Sequence, residues 1–194
     1  MEPLSTLAIS ALLAWASGMR LYLVVFVLGL LARFGFFAPP GDLAWLTNSW
    51  VLGAAGFMTL VELFADKVPA LDSLWDAIHT FIRIPAGAAL AAAAVGFDQH
   101  TAAVVMGLLG GTITSGTHLT KSGTRALINT SPEPISNWTA SFGEDGAVMG
   151  GIGLALFSPA VFLALLAGLL VLMLWWLPKV WRGVRRVLGR LTSS

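Results

Sequence analysis

Long apolar stretches dominate the chain, and short clusters of proline, glycine and charged residues separate them. An α-helix needs about 20 consecutive apolar residues to cross the hydrocarbon core of a bilayer. Breaks such as Pro39-Pro40-Gly41 and Ser158-Pro159 cannot continue a helix and therefore set its ends. The pattern predicts six transmembrane helices, at residues 4–34, 50–66, 72–96, 101–128, 138–157 and 160–177.

The composition supports a membrane protein. Hydrophobic residues make up 57% of the chain and charged residues only 11%, whereas soluble domains carry about 25% charge. One core could not hide so much apolar surface, so we expect an all-α, polytopic transmembrane helix bundle. The absence of cysteine excludes disulfides and thiolate metal sites. The first apolar run lacks the basic start of a signal peptide and is expected to remain as a membrane anchor.

The positions of lysine and arginine predict the orientation, because positively charged connections stay on the cytoplasmic side. With both termini inside, the inner side carries Lys67, Arg83, Lys121, Arg125, Lys179, Arg182, Arg185, Arg186 and Arg190. The outer side then carries only Arg33. We therefore expect a multi-pass protein of the inner (plasma) membrane, divided into a transmembrane domain at 1–178 and a basic cytoplasmic tail at 179–194.

Ionisable residues within apolar helices are costly, at roughly 2.5–3.5 kcal/mol each near a helix centre, and so they indicate function or pairing. Glu62 and Asp66 lie one turn apart and share a helix face. The next helix begins with an amphipathic segment whose polar stripe has spacings of four, three and four, namely Asp72, Asp76, His79 and Arg83. This segment is either an interfacial helix with a solvated charged face or a re-entrant helix that enters the bundle.

A complementary basic stripe on the fourth helix carries His118, Lys121 and Arg125. Its cations could pair with Glu62 or Asp66 and so form a stabilising ion network. Alternatively, the same residues could line a hydrated path for an ion, a proton or an anionic solute. The sequence leaves both interpretations open.

A second acidic pair, Glu144 and Asp145, lies inside the fifth helix, after a polar loop that includes Ser136 and Asn137. Two adjacent acids within a span could coordinate a cation, bind a proton or pair with Arg20. Arg20 is the only basic residue in the interior of the first helix. We prefer the pairing with Arg20 as the structural interpretation.

Two similar glycine-containing segments suggest helix breaks. Ser17-Gly18 in the first helix and Ser115-Gly116 in the fourth share the pattern Ser-Gly-x-(Arg or His)-Leu. Small and hydroxylated residues permit either close helix packing or an unwound segment that binds a solute with its freed backbone groups. Both uses are compatible with the sequence.

Three stretches together resemble a known family of bacterial membrane proteins, domain of unknown function 4126. They are Ser17-Gly18-Met19-Arg20-Leu21-Tyr22, the segment from Phe64 to Asp76 that contains Ala65-Asp66-Lys67-Val68-Pro69, and the segment Ser131-Pro132-Glu133-Pro134-Ile135-Ser136-Asn137-Trp138. The resemblance covers about residues 12–165 and leaves out the basic tail. It implies a membrane protein in which the polar stretches are the place of function, and it implies no substrate, cofactor or reaction.

We predict a small transporter or channel for an ion or an anionic solute. The candidate path comprises Arg20, Glu62, Asp66, Lys67, Asp72, Asp76, His79, Arg83, His118, Lys121, Arg125, Ser136, Asn137, Glu144 and Asp145. Membrane lipids and further copies of the chain are the expected partners, because glycine- and alanine-rich surfaces such as residues 86–96 suit tight helix contact. No cofactor and no nucleic acid is predicted.

Two alternatives remain. An intramembrane enzyme acting on lipid or isoprenoid head groups could use Asp72, Asp76 and His79 as metal ligands or as general acid and base, with Lys121 and Arg125 holding phosphate. A membrane scaffold protein would need no chemistry at all.

Overall fold

The computed structural model describes residues 2–130 and 134–191, and it describes the side chains of these residues except 69, 134 and 187–191. Within these ranges the chain forms six α-helices and one short 3-10 helix, without a β-strand. The helices are α1 (Pro3–Arg33), α2 (Ser49–Ala65), α3 (Pro69–Val95), α4 (His100–Ile128), α5 (Pro134–Phe157) and α6 (Pro159–Leu191), and the 3-10 helix Leu43–Thr47 lies between α1 and α2. The prediction of an all-α bundle of six helices is confirmed.

Four helices are long and apolar enough to cross a membrane. They are Pro3–Arg33, Ala70–Val95, His100–Ile128 and Pro159–Arg186. α2 is apolar but has only 17 residues, which is about 25 Å of helix at 1.5 Å per residue. The chain is therefore a multi-pass membrane protein by the length and composition of its helices.

The helices bury their polar faces and expose their apolar faces. In α3, Arg83 has no exposed surface, whereas Phe81, two residues earlier, is 83% exposed. Asp72, Asp76 and His79 are also buried. This arrangement is the reverse of a soluble bundle and is stable when the exterior meets lipid. The predicted solvated charged face of the amphipathic segment is wrong, because that face packs into the bundle as the first half of the continuous helix α3.

α1 forms the centre of the bundle. It is buried along most of its length, and small residues allow its neighbours to approach. Ser10 Oγ donates to the carbonyl of Ala91 in α3 at 2.7 Å, and Thr114 Oγ1 of α4 donates to the carbonyl of Ala14 at 2.7 Å. Most of the alanine-rich segment of α3 is thus buried inside the chain, so it does not supply the oligomer surface expected from the sequence. A homo-oligomer stays a prediction.

α6 differs from the predicted helix, which ended at Leu177. It continues through Pro178 to Leu191, so the basic tail begins as a helical extension. Val180 is 3% exposed and lies directly against Gly123 of α4. This contact holds the extension against the bundle, although a proline within a helix removes a backbone hydrogen bond.

The two predicted helix breaks have different outcomes. α1 is kinked at Arg20, whose φ of −144° and ψ of 69° are not helical, close to the predicted break at Ser17 and Gly18. α4 runs without a break from His100 to Ile128, so the break predicted at Ser115 and Gly116 is wrong. Ser115 Oγ donates to the carbonyl of Gly111, one turn earlier, at 2.7 Å. Its hydroxyl is therefore bonded within an intact helix.

Gly18 is required where α1 crosses α4, which gives a testable prediction. A Cβ at Gly18 would lie 2.6 Å from the carbonyl oxygen of Thr114 and 2.7 Å from Cβ of Thr117. We expect Gly18→Ala to lower the free energy of unfolding by about 1–3 kcal/mol, the usual cost of overpacking. The melting temperature of the purified protein in detergent measures this loss.

Gly116→Ala is the matched control, because a Cβ at Gly116 would meet no atom within 4 Å. Alanine there should leave the melting temperature unchanged or raise it, since alanine favours a helix over glycine by about 1 kcal/mol. Equal melting temperatures for the two variants would contradict the close contact at Gly18.

Candidate functional site

Nine charged side chains from α1 to α5 meet inside the bundle. This charge cluster consists of Arg20, Glu62, Asp66, Asp76, Arg83, Lys121, Arg125, Glu144 and Asp145. Most of these side chains are nearly inaccessible, while Glu144 is 13% and Asp145 28% exposed. The acidic and basic stripes predicted from the sequence therefore face one another.

Arg20 lies at the centre of the charge cluster. Its guanidinium pairs with Asp66, its Nε lies 2.8 Å from Asp145, and its Nη2 lies 3.4 Å from Glu144. Nη2 also donates to Ser141 Oγ at 2.8 Å. The expected pairing of Arg20 with the acids of α5 is present, and the same side chain joins them to the end of α2.

Lys121 and Arg125 bring the basic stripe of α4 to the same acids. Arg125 Nε donates to Glu144 at 2.9 Å, and its Nη2 lies 3.3 Å from Asp66. Lys121 Nζ lies 3.4 Å from Asp76 and 3.6 Å from Glu144. Each cation thus serves more than one carboxylate, as in a network rather than in separate ion pairs.

The kink of α1 takes part in this network. Lys121 Nζ donates to the backbone carbonyl of Met19 at 3.2 Å, directly before the non-helical residue Arg20. A carbonyl beside a helix break can accept a bond from outside the helix, as in the discontinuous helices of transporters. The break therefore connects the backbone of α1 to the charge cluster.

Arg83 connects the charge cluster to a histidine. It pairs with Glu62 and lies 3.2 Å from Asp76, and its Nη1 donates to His118 Nδ1 at 3.4 Å. The other ring nitrogen of His118, Nε2, faces Thr80. Nε2 lies 2.7 Å from Thr80 Oγ1, which donates to the carbonyl of Asp76.

His79 and Lys67 lie outside this network. His79 Nδ1 bonds to the carbonyl of Trp75 at 2.8 Å, and its Nε2 lies 3.0 Å from the hydroxyl of Tyr22. Lys67 forms no ion pair within the described ranges, and its Nζ lies 5.6–5.8 Å from the rings of Phe64, Trp138 and Phe142. Cation–π contacts of this kind stabilise a lysine at a protein surface. The structure therefore does not bring Lys67 to the candidate path.

The remaining candidates border the charge cluster. The backbone carbonyl of Asn137, which is fully buried, accepts from Arg125 Nη1 at 3.1 Å, while Ser136 is half-buried one residue earlier. Asp72 is fully buried and accepts from Asn129 Nδ2 at 2.8 Å. Ser131, Pro132 and Glu133 of the family-like segment lie outside the described residues.

A cavity of about 270 Å³ reaches the charge cluster from between α1, α4, α5 and α6. Lys121, Arg125 and Glu144 line its polar end, and apolar side chains such as Met19 and Leu169 line its walls. Charged groups at the end of an apolar cavity are the usual composition of a small-molecule or ion site. The cavity thus provides access to three members of the charge cluster.

The proposed metal chemistry finds no support in the arrangement of its residues. In the part of the chain that the structure describes, no three histidine, aspartate or glutamate side chains are placed to hold a metal ion. Asp72 and Asp76 are engaged with Asn129 and with Arg83 respectively, and His79 with Tyr22. The metal-binding form of the enzyme alternative thus has no ligand set among the described residues, and its acid–base form stays a prediction.

Sequence reasoning did not select four groups that contact the candidates, namely Tyr22, Thr80, Asn129 and the carbonyl of Met19. Tyr22 is the only tyrosine of the chain, and a tyrosine hydroxyl within an apolar span usually has a hydrogen-bond partner, which is a usable signal. Thr80 follows Asp76 by four residues and so shares its helix face. The carbonyl of Met19 has no side-chain signal, because its role depends on the kink.

The comparison with known families gives one match. The model of a family described as Domain of unknown function (DUF4126) matches residues 7–179. This range includes every residue of the charge cluster and ends where the basic extension of α6 begins. No curated protein and no solved structure matches the chain.

Proposed function

The chain belongs to the DUF4126 family, and we propose that it is a transporter or channel that moves a small ion or an anionic solute across the bacterial inner membrane. In this proposal both termini are cytoplasmic and the charge cluster is the binding and gating site. The observation that carries the proposal is one network of nine charged side chains, seven of them buried and two partly exposed, that is reached by a cavity.

Stability alone is a weak reason for such a network. Removing charges from water costs several kcal/mol per ion, and replacing buried ion pairs with well-packed apolar residues is often neutral or stabilising. Intramembrane charges that pair with one another inside a bundle typically mark ion or solute pathways. A pathway function therefore gives a reason for a buried charge network that stability alone does not explain.

In this proposal the structure is a closed state. The basic side chains of the charge cluster are paired with its carboxylates. An incoming ion must therefore compete with these side chains for the carboxylates. Each cation already has several acids within 4 Å, for example Lys121 with Glu62, Asp76 and Glu144. Partners can thus be exchanged one at a time, with less cost than breaking an isolated buried pair.

The cytoplasmic placement of the termini rests on the basic residues that lie outside the buried network. Arg83, Lys121 and Arg125 belong to the charge cluster and no longer count as connection residues. The inner side still carries Lys67 and the five basic residues of the carboxyl-terminal extension, against Arg33 on the outer side. This distribution supports the proposed orientation.

Flux through purified protein in proteoliposomes tests the proposal. The panel comprises H⁺, Na⁺, K⁺, Cl⁻, phosphate and small carboxylates. Glu144→Gln should change the flux of the transported species several-fold, because Glu144 lines the cavity and binds Lys121 and Arg125.

Asp98→Asn is the matched control, since Asp98 is exposed in the turn between α3 and α4 and should transport as the unmodified protein does. The absence of flux for every species of the panel would overturn the proposal. An equal effect of both substitutions would exclude the cavity as the route.

A further inference from the structure

Asp72 is a buried acid without a cationic partner. It lies in the first turn of α3 and has no exposed surface. Among the side chains that the structure describes, no lysine, arginine or histidine nitrogen lies within 4 Å of its carboxyl group. Its Oδ2 accepts from Asn129 Nδ2, and its Oδ1 has no hydrogen-bond partner among the described residues.

The neighbouring charge cluster compensates an ionised Asp72 only in part, because Arg125 attracts it whereas Asp66 and Asp76 repel it. Its four cations face five carboxylates, so the cluster is already one negative charge in excess. The charged groups that act on Asp72 include Arg125 of α4, Asp66 after α2 and Asp76 one turn along its own helix. Two of these three are acids. An ionised Asp72 would add a second negative charge in a dry environment, where an isolated ion costs far more than a neutral group.

A proton fits this position better than a metal ion. A metal ion needs several convergent ligands, and the described part of the chain brings no three acidic or imidazole groups together for one. A proton needs only one oxygen, and Asp72 Oδ1 is buried and free of other bonds to the described residues.

We propose that Asp72 is a proton-binding site, which takes up a proton at mildly acidic pH and exchanges it with the cytoplasmic side. Asn129 Nδ2 donates both to Asp72 Oδ2 and to Ser73 Oγ, and Ser73 is exposed, so hydrogen-bonded polar groups connect the site to the surface. Asp76, one turn further, is bound to Arg83 and Lys121 and leads into the charge cluster. The role of this proton as a coupling ion rests on the proposed transport function. The existence of the proton-binding site does not depend on that function.

Infrared spectroscopy of the protein in lipid nanodiscs tests the proposal. A protonated carboxyl group has a C=O stretching band apart from the bands of carboxylates. We expect such a band at mildly acidic pH, its loss on raising the pH above neutrality, and its absence in Asp72→Asn. Persistence of the whole band in Asp72→Asn would overturn the proposal, as would the absence of any such band in the unmodified protein.

Two further variants keep the test decisive. Asp145→Asn changes a partly exposed acid bound to Arg20 and should keep the band, so loss of the band there would also overturn the proposal. If Asp72→Asn does not fold, Asn129→Ala removes the hydrogen bond to Asp72 and should shift the band without removing it; an unshifted band would count against Asp72. The spectra require no flux, so failed transport and a failed proton site are distinguishable.

Discussion

Arg20→Met should unfold the protein more readily than any other single change in the charge cluster. The substitution keeps a long apolar side chain but leaves Asp66, Glu144 and Asp145 without their shared cation. Removing one partner of a buried ion pair typically costs about 3–5 kcal/mol, because the other charge stays buried and uncompensated. The melting temperature in detergent, together with the yield of monodisperse protein, measures the loss.

Arg33→Met is the matched control for this prediction. Arg33 lies at the end of the same helix, is partly exposed and bonds to Ser49 Oγ at 2.7 Å. Arg33→Met should lower the free energy of unfolding by less than about 1 kcal/mol, as for other exposed polar contacts. If the two variants melt together, Arg20 is not the central cation of the cluster.

A double substitution separates the role of the pair from the role of the single charge. Arg20→Met with Asp66→Asn removes one charge of each sign. The double variant should therefore lose less free energy of unfolding than the sum of the losses in the two single variants. Strict additivity would show that the two residues act independently, in conflict with their direct contact in the structure.

The order of elements followed from the sequence, because apolar length and proline position control where a membrane helix begins and ends. The positions of the helices relative to one another did not follow from the sequence. In lipid the interior and the exterior of a bundle are similarly apolar, so the hydrophobic pattern does not select neighbours. The pairing of Arg20 with Asp145 was predicted, whereas the central position of α1, which also brings Arg20 to Asp66, was seen only in the structure.

The two Ser-Gly segments show the same limit at the scale of single residues. Both have the same sequence pattern, yet Gly18 lies against α4 while Gly116 has open space beside it. Only the packing distinguishes them. The carboxyl-terminal extension is a similar case, since Pro178 indicated an end and the contact of Val180 with Gly123 favoured continuation.

The charged stripes were predictable because spacings of three and four residues place each set on one helix face. Which way the faces point was not determined by the spacing, since an amphipathic helix can turn its polar side to water or to buried partners of opposite charge. The complementary charge of α4 decides between them. Asp76 of α3 meets Lys121 of α4 at 3.4 Å, so the polar sides face each other.

Glu62→Gln should reduce flux by about tenfold or more while leaving the protein folded. Glu62 binds Arg83 and lies 3.6 Å from Arg20 and 3.8 Å from Lys121, so it faces three of the four cations of the charge cluster. Glutamine has nearly the same shape but no charge. A tenfold change in rate needs only about 1.4 kcal/mol, which is less than the usual interaction of one buried charge with its partner.

The separation of flux from stability is what distinguishes a pathway from a structural ion network. After Glu62→Gln the cluster holds four cations and four carboxylates, and Arg83 keeps Asp76 as a partner. The melting temperature should therefore fall much less than in Arg20→Met. Proteoliposome flux of the species identified in the panel, measured beside the melting temperature of the same preparation, gives both quantities. Unchanged flux in a folded Glu62→Gln protein would remove Glu62 from the path and favour a purely structural role, whereas lost flux in a protein of nearly unchanged stability requires that the charge itself acts in transport.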